Sequence, residues 1–263
     1  MDYGLKGKVA LVCGASQGLG EASALALARE RASLVICARN RGRLLETART
    51  IGDETGARVL PAVCDLASGE GVEHLVDQAL ERFGTIDILV TNVGHPPMGD
   101  FFSHDEDSWR AGFEGVLLPV VRLCRRVIPH MVQGNWGRIV HITSVAVKDP
   151  HPPYYLSSVY RAGVAALSKL LAREFGREGV RVNTVCPGVF KTPLVGDLLA
   201  REAEKQGESV ETIESQWADQ TAVGRLGEAS ELASLVVFLC SQAADDITGQ
   251  VLVADGGATG GMY

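Results

Sequence analysis

Short runs dominated by Val and Ile alternate along the chain with longer stretches whose apolar residues recur every three to four positions. The runs KVALVC (8–13), SLVICA (33–38), ARVLPAVC (57–64), DILVT (87–91), RIVHIT (138–143), VRVNTVC (180–186) and QVLVA (250–254) predict seven strands. Several are apolar on both faces, as strands covered by helices on each side must be. Helical periodicity fills the intervals, for example over 19–31, 71–83 and 161–175. This rhythm predicts an α/β, Rossmann-type doubly wound sheet, mostly parallel and seven-stranded, with right-handed crossovers and helices on both faces. No repeat, low-complexity tract or Pro/Gly/Ser-rich linker divides the chain, so residues 1–263 are expected to form a single domain.

Two stretches depart from the rhythm. NVGHPPMGDFFSHDE (92–106) is a long loop after the fourth strand, and residues 187–227 leave the sixth strand through Pro187-Gly188 and carry polar helical pieces. Ligands of open α/β sheets bind beyond the carboxyl ends of the strands, where both stretches fall. The segment at about 190–225 is therefore expected to be a substrate lid.

Composition narrows the field of partners. A chain that is 46% hydrophobic over 263 residues is not disordered. Its net charge of -7, with no basic run, argues against nucleic acid. No run approaches the roughly 20 apolar residues of a membrane crossing. The start, MDYGLKGKVALVCG, runs into a strand-like segment without a signal-peptide layout, so a cytoplasmic address is expected. Cys13, Cys37, Cys64, Cys124, Cys186 and Cys240 stand singly beside apolar runs, with no C-x-x-C pair and no zinc-like spacing. They are expected to be buried free thiols, and no metal site is predicted.

Candidate chemistry begins at Gly14-Ala15-Ser16-Gln17-Gly18-Leu19-Gly20, between the first strand and the first helix. Glycines there permit a tight turn and let backbone approach a pyrophosphate, which would sit on the helix N-terminus. The spacing is G-x-x-x-G-x-G rather than G-x-G-x-x-G. Asp65-Leu66 follows the third strand, Thr91-Asn92-Val93-Gly94 the fourth, Ile142-Thr143-Ser144 the fifth, and Pro187-Gly188-Val189 with Thr192 the sixth; Asp255-Gly256-Gly257 stands near the end.

With these motifs in this order, the chain resembles the short-chain dehydrogenases/reductases, especially the 3-oxoacyl-acyl-carrier-protein reductases, over essentially all 263 residues. The resemblance implies a dinucleotide-binding fold in which Gly14, Ser16, Gln17, Gly18, Leu19 and Gly20 surround the phosphates. It also implies adenine contacts from Asp65 and Leu66, cofactor contacts from Asn92, Val93 and Gly94, and nicotinamide contacts from Pro187, Gly188, Val189 and Thr192. Cys13 stands where the family usually has Thr. Family members are usually dimers or tetramers, so a homo-oligomer is expected. The choice of cofactor can be argued physically, because a ribose 2′-hydroxyl is held by a carboxylate after the second strand whereas a 2′-phosphate wants an Arg. That strand ends at Ala38-Arg39-Asn40 with no acid in reach, which favours NADP(H) over NAD(H).

The catalytic half departs from the family pattern. Ser144 matches the serine that orients the carbonyl. Counting back from the helix RAGVAALSKLLAREF places Ser157 at the family's Tyr position and Arg161 at its Lys position, while Val116 replaces its helix Asn. Carbonyl reduction needs a proton for the developing alkoxide, or a donor that stabilises it. A serine hydroxyl is far less acidic than a phenol, and Arg161 cannot give up a proton near neutral pH. Tyr154 and Tyr155, just before the vacated position, and Tyr160, on the same helical face, are alternative donors. His95 and His141 read as hydrogen-bonded structural residues, and Pro119 frees the Gly115 carbonyl from its helical partner. The leading expectation is an oxidoreductase moving a hydride between NADP(H) and a ketone or secondary alcohol, with a 3-oxoacyl thioester as one candidate. In it Ser144 polarises the carbonyl, Arg161 holds the ribose, and Ser157, Tyr154 or Tyr155 supplies the proton. The alternative is a cofactor-binding pseudo-enzyme acting as a regulatory or partner subunit.

Overall fold

The computed structural model describes residues 3–261, so both ends of the predicted 1–263 span lie outside the described residues. The strands in chain order are β1 (Val9–Cys13), β2 (Ser33–Ala38), β3 (Val59–Val63), β4 (Ile88–Asn92), β5 (Gly137–Ile142), β6 (Val180–Pro187), β7 (Phe190–Lys191), β8 (Gly227–Glu228) and β9 (Val251–Ala254). Seven of them form one sheet in the order β3-β2-β1-β4-β5-β6-β9, parallel at every pairing. The order turns back between β1 and β4, which sets a crevice at their carboxyl ends.

The helices are α1 (Gly18–Arg29), α2 (Arg41–Thr55), α3 (Gly69–Phe83), α4 (Glu106–Gly112), α5 (Leu118–Gln133), α6 (Tyr155–Phe175), α7 (Pro193–Gln206), α8 (Val210–Ala218) and α9 (Ala229–Cys240). Side chains alternate across the sheet. Leu11, Val35, Leu89, Ile139 and Val182 pack under α3, α5 and α6, while Val12, Ile36, Val90, Val140 and Val185 pack under α1, α2 and α9. All six cysteines are buried and free, as the sequence predicts. Among the described residues no helix is long and apolar enough to cross a membrane.

Local chemistry sets the helix ends. Asn40 caps α2 by accepting from the Arg43 amide at 3.0 Å, and Ser68 caps α3 by accepting from the Gly71 amide at 3.1 Å. The Ser68→Ala variant is expected to lose about 1 kcal/mol of stability, read as a lower urea midpoint at unchanged slope. The helix predicted from 161 starts earlier, at Tyr155. Its first turn, Tyr155-Leu156-Ser157-Ser158, buries Leu156 and Ser158 but carries no repeating apolar stripe.

The excursion after β6 is a helical hairpin. β7 and β8 pair in parallel, Phe190 opposite Gly227, and α7 and α8 rise from that base. The hairpin has a small core of its own from Leu199, Ala203, Ile213 and Leu226.

Candidate active site

The glycine loop is held against the end of β4. Gly14 has a φ of +60°, and a Cβ there would come 2.6 Å from the Asn92 carbonyl. Asn92 Nδ2 in turn donates to the Gly14 carbonyl at 3.4 Å. A Cβ on Gly20 would collide with that same carbonyl, so α1 can start this close to β1 only with glycine at 20. Gly18, at φ +63°, faces Thr192 at the start of α7. Gln17 opens α1 without a side-chain cap, leaving the first amides of the helix available to an anion. This cradle fits a dinucleotide pyrophosphate.

Arginines gather beside the loop. Arg43 Nη1 donates to Gln17 Oε1 at 2.6 Å, and Thr47 Oγ1 donates to the Ser16 carbonyl at 3.3 Å. Arg39 and Asn40 are exposed at the end of β2. Sequence reasoning found Arg39 but missed Arg43; the spacing Arg39-x-Arg41-x-Arg43 carried the signal. Asp65 is exposed and accepts from the Ala67 amide at 3.1 Å, with Leu66 packed on the core beside it. Past the end of β6, the Gly188 amide donates to the Ala254 carbonyl at 2.8 Å, and Asp255 leaves no room for a Cβ on Gly188.

The altered catalytic positions converge on Arg161, which is only 2% exposed. Its Nε donates to Ser157 Oγ at 3.2 Å, one Nη to the Thr143 and Ile142 carbonyls at 3.2 and 3.4 Å, and the other Nη to the Gly94 carbonyl at 3.0 Å. These four bonds take most of a guanidinium's five N–H donors, and burial pulls its pKa down to about 10. Arg161 thereby ties α6 to the end of β5 and to the loop after β4. Ser144 Oγ accepts from the Ala146 amide at 3.2 Å. Ser144 and Ser157 each accept from a protein N–H, and among the described residues neither hydroxyl donates to a protein acceptor.

The tyrosines separate. Tyr160 donates to the Trp109 carbonyl at 2.7 Å and packs on Trp109 and Phe113, which commits it to holding α4 against α6. Tyr155 lies against Phe101 at 5.9 Å between ring centroids, and Tyr154 against His151 at 5.1 Å. Among the described residues, no hydrogen bond joins either phenol to Ser144, Ser157 or Arg161. Val116 is buried in a single π turn, Phe113–Leu117, where the Leu118 amide reaches the Phe113 carbonyl. The Gly115 carbonyl there looks toward Gly94.

His95 follows Gly94; desolvation of its ring, then the Arg161 charge, hold it near a pKa of about 4 although the residue is exposed overall. His141 is fully buried, shares a 2.8 Å hydrogen bond between Nδ1 and Thr91 Oγ1, and is pushed down to about 4 by burial. An unfolded histidine takes its proton near pH 6.5, so between pH 4 and 6.5 the unfolded chain binds the extra proton. Stability is therefore expected to fall with acid across that window, by up to about 1.4 kcal/mol per pH unit from His141. Urea unfolding at several pH values should show this slope, and a His141→Gln variant should lack that part of it. Among the described residues no cluster of three or more His, Cys, Asp or Glu could hold a metal ion.

A protein family described as "Enoyl-(Acyl carrier protein) reductase" matches residues 14–259. The chain is 30% identical over 257 residues to 3-oxoacyl-[acyl-carrier-protein] reductase FabG of Chlamydia muridarum, covering 98% of this chain and 99% of that protein. It is 32% identical over 261 residues to Oxidoreductase UcpA of Escherichia coli, covering 97% and 95%. The crystal structure of L-sorbose reductase from Gluconobacter frateurii, complexed with NADPH and L-sorbose, superposes with a TM-score of 0.96 at 33% identity over 100% of both chains. An actinorhodin polyketide ketoreductase with NADPH superposes with a TM-score of 0.91 at 31% identity, over 97% of this chain and 98% of the other.

Proposed function

The chain is a member of the short-chain dehydrogenase/reductase family, and on that premise we propose that it moves a hydride between NADP(H) and a ketone or secondary alcohol, with 3-oxoacyl thioesters among the first substrates to test. The observation that carries the cofactor choice is the acid-free end of β2, where Arg39 and the Arg43–Gln17 pair flank the glycine loop. Two similar structures hold NADPH, in keeping with this choice.

In this reading Gly14, Ser16, Gln17, Gly18, Leu19 and Gly20 hold the pyrophosphate and Arg39 and Asn40 the 2′-phosphate end. Asp65, Leu66, Asn92, Val93 and Gly94 line the adenosine and ribose path, and Pro187, Gly188, Val189 and Thr192 seat the nicotinamide. The cofactor, when bound, supplies or accepts the hydride. Ser144 turns its hydroxyl proton to the carbonyl oxygen, and Ser157, which accepts from the Arg161 Nε–H, donates to that oxygen's developing charge. Tyr154 and Tyr155 are the alternative donors. Arg161 braces this wall and offers its remaining N–H to the ribose. The α7–α8 hairpin, whose capping Thr192 faces Gly18 of the glycine loop, is the lid. Exposed Phe113, Val159 and Leu170 on the α4–α6 side make that face the seam of a dimer or tetramer.

A second reading is a cofactor-binding pseudo-enzyme serving as a regulatory or partner subunit. The observation in its favour is that Arg161 spends most of its donors on backbone carbonyls. Titration with NADPH and NADH, followed by nicotinamide fluorescence, tests the cofactor site. The Arg39→Ala and Arg43→Ala variants should bind NADPH about tenfold more weakly, about 1.4 kcal/mol, with NADH unchanged. NADPH binding without turnover on any ketone would favour the second reading; turnover would end it.

A further inference from the structure

Thr91 on β4, His141 on β5 and Thr184 on β6 are direct neighbours in register across the middle of the sheet. Each stands two residues beyond a core side chain, Leu89, Ile139 or Val182, and so lies on the same sheet face, under α5 and α6. A buried polar row thus crosses an otherwise apolar face. The Thr91 contact holds the imidazole by Nδ1, which leaves Nε2 on the part of the ring away from that bond.

His141 Nε2 is buried and meets no protein partner. The same holds for Thr184 Oγ1 on the next strand and for Ser168 Oγ on α6. Ser168 belongs to the buried stripe of α6, with Arg161, Val164, Ala165 and Ala172. The helix runs antiparallel to the strands. Near its start Arg161 reaches the Thr143 carbonyl; further on, Lys169 reaches the Gly249 carbonyl, and the Gly249 amide bonds to Val182. Ser168 is thereby set over the Val182–Thr184 stretch of β6. Three buried, unpartnered polar atoms thus stand on three adjoining elements.

Buried polar groups are paired with protein or ordered water in the great majority of cases, because each one left unpaired costs free energy. Three on adjoining elements are the setting in which an internal water makes its usual two to four hydrogen bonds. A neutral imidazole offers one donor and one acceptor, and each hydroxyl can turn to serve as either, so the set matches water without any net charge. We infer that His141, Thr184 and Ser168 enclose an internal water-binding site between the sheet and α6. The site lies beneath Thr143 and Ser144, and its water braces the end of β5, which carries Ser144 and whose carbonyls Arg161 of α6 holds.

Oxygen-17 magnetic relaxation dispersion counts water held longer than the protein takes to tumble, and it can be applied to the wild type, Thr184→Val and Ser168→Ala. Each substitution removes a hydroxyl at nearly constant shape. At least one variant should lose a long-lived water, and Thr184→Val should lower the folding equilibrium constant about tenfold. An unchanged water count in both variants would overturn the inference. So would a Thr184→Val protein more stable than the wild type, since removing a dry, unpaired hydroxyl is stabilising. If Thr184→Val fails to fold, the water count of Ser168→Ala decides alone.

Discussion

Replacing Arg161 with alanine should cost the folded state about 3 kcal/mol, because buried backbone carbonyls lose a charged donor. The guanidinium is 2% exposed and serves the Gly94, Ile142 and Thr143 carbonyls together with Ser157 Oγ. Its loss leaves carbonyls from two separate segments unpaired, each worth about 1–3 kcal/mol, with local relaxation recovering part of the sum. Lysine should restore only part of the loss, because an ammonium cannot spread donors over a planar fork. Urea unfolding at constant slope is the measurement. A loss below about 1 kcal/mol would show that the carbonyl fan contributes little, leaving the cation available to a ligand.

Ser144→Ala is expected to lower turnover on a responsive ketone roughly 100-fold, the usual cost of one donor aimed at a developing oxyanion. Ser144 lies just beyond β5 with extended backbone, and its Oγ accepts from Ala146, which directs the hydroxyl's own proton outward. Alanine keeps the backbone and gives up only a local 3.2 Å bond, so stability should change little. The drop should therefore appear in kcat with KM largely preserved. Unchanged turnover would remove Ser144 from the chemistry.

The sheet was legible because each strand of the seven carries enough Val, Ile and Leu to declare itself, and even their boundaries hold to within two residues. β7 and β8 were not legible: two residues each have no period. Ser157 and Arg161 could be placed by counting from the following helix, yet nothing in a side-chain pattern reveals that Arg161 spends itself on backbone oxygens. Backbone acceptors are the same at every position, so only folding decides which ones meet. The Arg43–Gln17 pair was hidden for a similar reason, since it forms only when α2 folds back beside the loop 26 residues earlier. The polar row of Thr91, His141 and Thr184 sits on three strands separated by more than 40 residues at each step, and each member alone reads as an ordinary strand residue.

The paired stubs β7 and β8 have a consequence for how this protein could diversify. The chain leaves the body at Phe190 and returns at Gly227, positions one strand spacing apart, about 4.8 Å. The segment between them carries its own small core and meets the body at points besides that pairing, among them Thr192 against Gly18 and the Val223 amide donating to the Gly256 carbonyl at 3.2 Å. Such an insert lends itself to exchange: a hairpin of different length or lining can span the same two points if it keeps Thr192 against Gly18 and the Val223 amide on the Gly256 carbonyl. Recombination or design beyond Thr192 could thus change the hairpin while the glycine loop keeps its contact with Thr192.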